Sequence, residues 1–168
     1  ASSLTSSEQT YRRVLLYKLF YANPLPLIVC EGKTDNIYLD SALKQLVGNF
    51  PLLAKKDSDG KAKRGVAILK RTKTLERVLG LTGGSSELTN LMQLYLSVCK
   101  DCLKREAKIN PVIFLIDNDD GAKSIYAYAK KLTSPVTKEM PLIHMTGNLY
   151  IVPTPLAQGK DTMIEDLF

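Results

Sequence analysis

Hydrophobic residues along this chain fall into two patterns. Residues 27–30 and 111–116 form continuous apolar runs, which are typical of short strands that are buried on both faces. Elsewhere the apolar residues recur every three or four positions, as they do in amphipathic helices. Because strands alternate with helices, the sequence predicts an α/β domain in which helices flank a mainly parallel central sheet.

The same patterns set the expected bounds of each element. Pro24 and Pro26 end the first helix, because proline lacks an N–H group and disfavours helical backbone in the residue before it. Residues 55–65 are polar and basic and are expected to form a loop. The predicted helices are 8–22, 33–47, 72–81, 86–107, 122–132 and a helix start from residue 163, and the predicted strands are 27–30, 66–69, 111–116, 142–145 and 149–152.

Acidic residues follow both of the strongest predicted strands directly. Glu31 and Asp35 come after the first strand, Asp117 and Asp119 come after the second, and Glu165 belongs to a third acidic group near the end of the sequence. The carboxyl ends of parallel strands meet at one edge of the sheet, where ligands of such folds bind. We therefore expect these carboxylates to lie close together.

Carboxylates that lie close together repel one another and need a positively charged partner to offset the repulsion. Two unit charges ~4 Å apart repel each other by about 4 kcal/mol at an effective dielectric constant of ~20, which a bound divalent cation would offset. Oxygen ligands without histidine or cysteine select a hard cation, so we expect Mg²⁺, with Mn²⁺ in its place. Acidic side chains also occur at helix starts because they complement the helix dipole, and this alternative stays open, most of all for Asp35.

Positive charge is concentrated in one segment. The chain carries a net charge of +6, and residues 55–73, with eight basic and two acidic residues, account for all of it. Such a segment suits a polyanion such as nucleic acid, although a solvated lysine-rich loop is an equal alternative on charge alone. The eight candidate nucleic-acid contacts are Lys55, Lys56, Lys61, Lys63, Arg64, Lys70, Arg71 and Lys73.

Length and composition narrow the class of protein. The chain has 168 residues, 45% of them hydrophobic and 24% charged, which are ordinary values for one globular domain. No apolar run reaches the ~18 residues of a membrane-spanning helix, so no membrane partner is expected. Three cysteines are an odd number in a domain that is large enough to fold without disulfides, so a cytoplasmic location is expected.

Two motifs together resemble a known family. A hydrophobic strand followed by Glu-Gly-x-x-Asp at Glu31–Asp35, and a second followed by Asp-x-Asp-x-Gly at 117–121, resemble the Toprim domain, the metal-binding module of topoisomerases, bacterial primases and several nucleases. The motif at Glu31 and Asp35 and the ending 162–168 are more similar to its nuclease branch, which includes the overcoming-lysogenization-defect (OLD) nucleases. Residues 29–39 resemble the Toprim domain that follows the reverse transcriptase in some retron proteins.

The resemblance implies a role for each acidic residue. Glu31 matches the invariant glutamate of the family, a metal ligand and general base or acid, and Asp117 and Asp119 match its metal-binding aspartates. Asp35 and Glu165 match the ligands that complete a second metal site. Lys160, just before the last acidic group, is a candidate to stabilise developing charge, with a solvated loop lysine as the alternative.

The resemblance also implies an architecture and a setting. Residues 24–168 would form a Toprim domain of Rossmann-like fold with a helical insertion at about 70–108, and the stop just after an acidic cluster indicates that it is incomplete at its C terminus. Residues 1–23 would be a helical junction to an upstream reverse transcriptase, which would be a partner together with its nucleic-acid product. An oligomer is possible.

Together the acidic residues and the resemblance predict hydrolysis of phosphodiester bonds in DNA or RNA, dependent on Mg²⁺. The resemblance to retron proteins implies that this would be the effector domain of a retron fusion in anti-phage defence. Two alternatives stay open. One is nucleotidyl or phosphoryl transfer on the same scaffold, as in primases and topoisomerases. The other is a non-catalytic module that binds nucleic acid or a protein partner through its basic segment.

Overall fold

A five-stranded sheet forms the centre of the chain in the computed structural model, which describes residues 3–81, 85–103 and 110–168. The strands of the chain are β1 (Leu27–Cys30), β2 (Ala54–Lys56), β3 (Ala62–Arg64), β4 (Ala67–Ile68), β5 (Val112–Ile116), β6 (Ile143–Thr146) and β7 (Leu149–Pro153). The helices are α1 (Ser6–Leu16), α2 (Asp35–Gln45), α3 (Lys73–Leu79), α4 (Ser85–Cys102) and α5 (Lys123–Leu132).

The strand order of the main sheet is β4-β1-β5-β7-β6. All neighbours are parallel except β6 and β7, which form an antiparallel pair. This confirms the prediction of an α/β domain with a mostly parallel central sheet flanked by helices, an arrangement compatible with a Rossmann-like fold. The chain moves from β1 outward to β4 and then returns past β1 to β5, so the winding of the sheet reverses between β1 and β5.

Helices cover both faces of the sheet because the side chains of β1 alternate. Leu27 and Val29 point into the larger core, which is formed with α1, α3, α4 and α5. Ile28 and Cys30 point the other way, into a smaller core with Leu43 of α2. A continuous apolar run is what a strand buried on both faces requires.

None of the helices in the described ranges is long and apolar enough to span a bilayer.

The first helix belongs to the larger core. Thr5 caps α1 by accepting a hydrogen bond from the backbone N–H of Glu8, and the helix continues as a π-helical turn over Tyr17–Tyr21. Leu16 and Phe20 are fully buried in the core that contains β1 and β5. The segment therefore packs on the sheet as part of the same domain.

The expected loop at residues 55–65 is instead a β-hairpin, and the loop prediction was wrong. β2 and β3 pair antiparallel, with Lys55 opposite Lys63. Asp57 closes the turn, because its Oδ1 accepts the backbone N–H groups of Asp59 and Lys61 at 3.0 and 2.8 Å. Both faces of this hairpin are largely exposed, so its strands lack the apolar alternation from which a strand is predicted.

The predicted helical insertion supplies α3 and α4, which lie between β4 and β5 in the chain. Residues 82–84 and 104–108 of that insertion fall outside the described residues. Leu88, Leu91, Met92 and Tyr95 of α4 are fully buried. In the described part of the insertion, α4 is therefore a core helix of the domain.

Candidate functional site

The reversal of the sheet brings the two acidic motifs together. β1 and β5 are parallel neighbours in the register Leu27↔Val112 to Cys30↔Leu115. Continuing this register by one residue sets Glu31 beside Ile116, and Asp117 follows directly. Neighbouring strands lie about 4.8 Å apart, so both carboxylates belong to one small region. In doubly wound sheets this reversal point, at the carboxyl ends of the strands, is where ligands bind.

The Glu31 side chain is half-buried, and hydrogen bonds compensate the negative charge of its carboxylate only in part. Its Oε2 atom is buried, and no residue in the described ranges hydrogen-bonds to it. Burial raises the pKa of Glu31 to about 7, and the negative charges of Asp117, Asp119 and Asp35 raise it further against a hydrogen bond from the Asp117 backbone. The carboxylates on the two strands therefore lie within electrostatic range of one another.

Asp117 connects the site to the end of the sequence. Its Oδ1 accepts the backbone N–H of Ile164 at 2.9 Å. Burial raises the pKa of Asp117, the Ile164 hydrogen bond opposes this, and the charges of Asp35, Glu165 and Asp119 raise it again. Glu165 thus reaches the field of the strand-end carboxylates from a position 48 residues further along the chain.

The C-terminal segment is held in place by contacts on two sides. The backbone N–H of Asn118 donates to the Thr162 carbonyl at 2.9 Å, and Thr162 N–H returns a bond to Asn118 at 3.3 Å. The ring of Phe168 packs against Tyr38 of α2, with centroids 5.3 Å apart. These contacts position the 3₁₀ turn that carries Glu165.

Asp35 explains the glycine in the first motif. Its carboxylate, only 5% exposed, folds back so that Oδ2 accepts the Gly32 backbone N–H at 2.6 Å. A Cβ atom on Gly32 would clash with Asp35 Oδ1 in this arrangement. Glycine therefore lets the Asp35 carboxylate approach the backbone here. Asp35 is also the first residue of α2, the helix-start position that the sequence left open for it, and its role as a metal ligand stays a prediction.

Asp119 stabilises the turn after β5. Its Oδ1 accepts the backbone N–H groups of Gly121 at 2.8 Å and Ala122 at 3.3 Å. This is the helix-start role that the sequence left open for acidic residues in general. The negative charge of Asp119 still acts on Glu31 and Asp117. Capping of the turn is therefore compatible with a place in the acidic group, a name used here for Glu31, Asp35, Asp117, Asp119 and Glu165.

The donor chemistry of the group suits a hard cation, although its side chains are not gathered around one point. Within the described residues, no three acidic, cysteine or histidine side chains are arranged to hold a metal ion. The unpartnered Oε2 of Glu31 and the mutual repulsion of Glu31 and Asp117 nevertheless leave negative charge uncompensated. Oxygen-only ligands with such charge fit Mg²⁺ or Mn²⁺, with rotation of side chains needed to complete a coordination shell.

Lys160 lies in the C-terminal segment, five residues before Glu165. It is exposed, in a turn where its backbone N–H and carbonyl both pair with Ala157. The charges that shift the pKa of Glu31 and Asp117 most are carboxylates, and Lys160 is not among them. Its predicted role in stabilising developing charge stays a prediction.

The eight basic residues form two groups. Lys55, Lys56, Lys61 and Lys63 are exposed on the hairpin, which precedes β4, and Arg64 of the same hairpin forms an ion pair with Asp40 of α2. Lys70, Arg71 and Lys73 follow β4, toward the carboxyl edge of the sheet where Glu31 lies.

Two polar residues of the site were missed from the sequence. Arg71, predicted only as a nucleic-acid contact, donates its guanidinium to the backbone carbonyls of Cys30 and Glu31 and so supports the end of β1. Asn118 is fully buried between the two aspartates. The only signal for Asn118 was strand alternation, which turns the residue between Asp117 and Asp119 inward.

Comparison with known proteins adds no family to this geometry. No family model matches the chain, and no solved structure matches it. The site is therefore interpreted from its own residues.

Proposed function

We propose that this chain is a Toprim-type domain that hydrolyses phosphodiester bonds in DNA or RNA with the help of Mg²⁺. The observation that carries the proposal is the half-buried Glu31 carboxylate, with one oxygen lacking a hydrogen-bond partner among the described residues, in the field of Asp117 and Asp119. A fold retains such repulsion where a cation relieves it in use. Its place at the reversal of a parallel sheet is the usual ligand position of such folds.

The residues divide the work in this proposal. Glu31, Asp35, Asp117, Asp119 and Glu165 would hold Mg²⁺ or Mn²⁺, which supplies Lewis-acid activation and neutralises charge on the phosphate when bound. Glu31, whose pKa is about 7 before any ion binds, is suited to exchange a proton with water near neutral pH.

The basic residues after β4 would position the substrate. Lys70 and Lys73 are exposed on the side of β4 that leads toward Glu31. Contacts from such side chains to backbone phosphates give affinity without sequence preference. The hairpin lysines would extend this contact along the nucleic acid, away from the bond that is cleaved.

The setting is part of the same proposal. We propose, on the resemblance of residues 29–39 to retron proteins, that this is the effector domain of a reverse transcriptase fusion in anti-phage defence, in the cytoplasm. The upstream reverse transcriptase and its nucleic-acid product would then be the partners that restrain or release the activity.

Removal of the two central carboxylates tests the proposal. Glu31→Gln and Asp117→Asn should each lower Mg²⁺-dependent cleavage of DNA and RNA oligonucleotides by about 10² to 10⁴-fold, while nucleic-acid binding is retained. Asp101→Asn, an exposed acid on α4, is the matched control and should cleave like the wild type. Circular dichroism establishes that each variant is folded.

Three outcomes would contradict the proposal. Full activity in a folded Glu31→Gln/Asp117→Asn double variant would remove the acidic group from the mechanism. Salt-dependent binding by the wild type without cleavage, in Mg²⁺ or in Mn²⁺, would favour the binding-module alternative. Incorporation of nucleotides in place of cleavage would favour the transferase alternative.

A further inference from the structure

A cavity of about 570 Å³ opens at the same edge of the sheet as the acidic group. One wall is the loop 138–141 between α5 and β6, and the other is formed by residues 152–156 at the end of β7. Its volume is in the range that proteins use for small-molecule ligands, about 300–1,000 Å³. The proposed phosphodiesterase site does not use this cavity.

Asn118 fixes both walls relative to the carboxylates. Its side-chain amide donates to the backbone carbonyls of Lys138 at 2.9 Å and Thr154 at 3.0 Å. The hydroxyl of Tyr126 donates to Asn118 Oδ1 at 2.7 Å and sets the orientation of that amide. The backbone N–H of Thr154 also donates to the Ile116 carbonyl at 2.9 Å. The residue between Asp117 and Asp119 therefore holds the two walls of the cavity.

The lining of the cavity is mostly apolar and stiff. Proline rings lose little freedom when a ligand packs against them, so such walls are ordered in advance. Half-buried Leu156 lies at one wall and does not belong to the buried core. The apolar lining consists of Met140, Pro141, Val152, Pro153, Pro155 and Leu156.

One residue of the cavity wall carries a positive charge. Lys138 lines the cavity, and its Nζ forms an ion pair with Asp161 at 2.8 Å. The hydrogen bond that Lys138 donates to the Asp161 carboxylate raises the pKa of Lys138, and the charges of Asp120 and Asp119 add to the effect. Lys138 is thus within electrostatic range of Asp119, which makes the cavity a neighbour of the candidate site.

We propose that this cavity binds a nucleobase of the nucleic acid, next to the phosphodiester bond that the carboxylates address. The inference rests on the proposed function, since it takes the substrate class from it. Of the three parts of a nucleotide, only the base has apolar faces that suit proline, methionine and leucine walls, whereas phosphate and sugar are polar. Contacts to a base carry sequence information that phosphate contacts lack. We therefore expect the shape of the cavity to give a preference for the base beside the cleaved bond.

The test fills the cavity. Leu156→Trp adds an indole to its wall, and Leu52→Trp, at a side chain that is 88% exposed in the loop before β2, is the matched control. The probes are the four nucleoside monophosphates, titrated without metal and followed by NMR, with ribose 5-phosphate as the probe that lacks a base. Leu156→Trp should weaken binding of at least one nucleoside monophosphate by about tenfold, whereas Leu52→Trp and the ribose 5-phosphate affinity should stay as in the wild type.

A cleavage assay on oligonucleotides of mixed sequence separates this inference from the proposed function. Leu156→Trp should raise KM and reduce the preference for the base beside the cut. If no monophosphate binds more tightly than ribose 5-phosphate and the base preference of Leu156→Trp equals that of the wild type, the cavity is not a base site, whatever the cleavage activity. If base-dependent binding is lost in Leu156→Trp while the wild type cleaves nothing, the cavity stands and the proposed hydrolysis fails. Leu156→Ala, which widens the cavity, takes the place of Leu156→Trp should the latter not fold.

Discussion

Glu31 shows how a single residue connects folding to the candidate activity. Its carboxylate is partly desolvated at the end of β1 and meets the charges of Asp117, Asp119 and Asp35. Ionisation of Glu31 in the metal-free protein is therefore unfavourable to the folded state. Once a cation is bound, ionisation of Glu31 instead favours the folded state, because the carboxylate is then a ligand of the cation.

The raised pKa of Glu31 predicts how stability depends on pH. The folded chain keeps this proton up to about pH 7, whereas the unfolded chain releases it near the ordinary value of 4.5. The contribution is fully present below that ordinary value and is lost as the pH rises through about 7. After discounting for solvent screening at a half-buried group, the loss is roughly 1–2 kcal/mol of unfolding free energy.

Urea unfolding of the wild type and Glu31→Gln in EDTA, at about pH 5 and about pH 8, measures this effect. The wild type should lose stability relative to Glu31→Gln between the two conditions, and Mg²⁺ should restore it near pH 8. If the difference in unfolding free energy between the wild type and Glu31→Gln is the same at both pH values, Glu31 is well solvated and is not repelled by its neighbours.

Helix α4 illustrates what packing does at the scale of an element. The Tyr95 hydroxyl donates to Asn148 Oδ1 at 2.9 Å, and the Asn148 amide donates to the carbonyls of Phe20 and Asn110, each at 2.9 Å. One buried polar network thus joins α4 to the helical turn after α1, to the residues before β5 and to the turn before β7. This makes α4 a structural part of the sheet that carries the site.

Tyr95→Phe tests that role of α4. The substitution leaves the buried Asn148 Oδ1 without its donor, which should cost about 1–2 kcal/mol of unfolding free energy. Tyr11→Phe, at an exposed tyrosine of α1, is the control and should change stability by less than about 0.5 kcal/mol. Chemical denaturation gives both values. Equal stability of the two variants would indicate that Tyr95 contributes only its ring.

At the scale of the whole molecule, the basic segment 55–73 is divided between two places, the hairpin and the residues after β4. The hairpin sets Lys55 directly opposite Lys63, an arrangement of like charges that does not help a hairpin to fold. Lys70 and Lys73 instead follow β4 toward the acidic edge. A polyanion that reaches both groups would bridge the hairpin and the candidate site.

Paired substitutions separate the two basic groups. Lys70→Ala/Lys73→Ala and Lys55→Ala/Lys63→Ala should each reduce the slope of log affinity against log salt concentration by about 2. The first pair should lower kcat more than the second, because it lies nearer the carboxylates. Filter binding at several salt concentrations and single-turnover cleavage provide the two measurements. An equal loss of kcat in both variants would contradict the separation.

The sequence alone was sufficient to predict the α/β class and both central strands. Leu27–Cys30 was predicted with the bounds that the structure has, because a short, uninterrupted apolar run is typical of a strand that is buried on both faces. The acidic motifs were also visible, since they follow those strands directly. Glu31 and Asp117 each follow a strand that was predicted to be parallel. Because the carboxyl ends of parallel strands lie at the same edge of a sheet, the meeting of the two residues could be expected from the sequence.

Contacts between distant segments were decided only by the tertiary structure. The hairpin at Ala54–Arg64 is largely exposed on both faces, so it leaves no apolar pattern, and the buried network of α4 depends on partners in three other parts of the chain. Asn118 and Arg71 bond to backbone groups far along the sequence, and backbone carbonyls carry no sequence signal. Periodicity records which face of an element is buried, but the residue that meets a given carbonyl is set by packing in three dimensions.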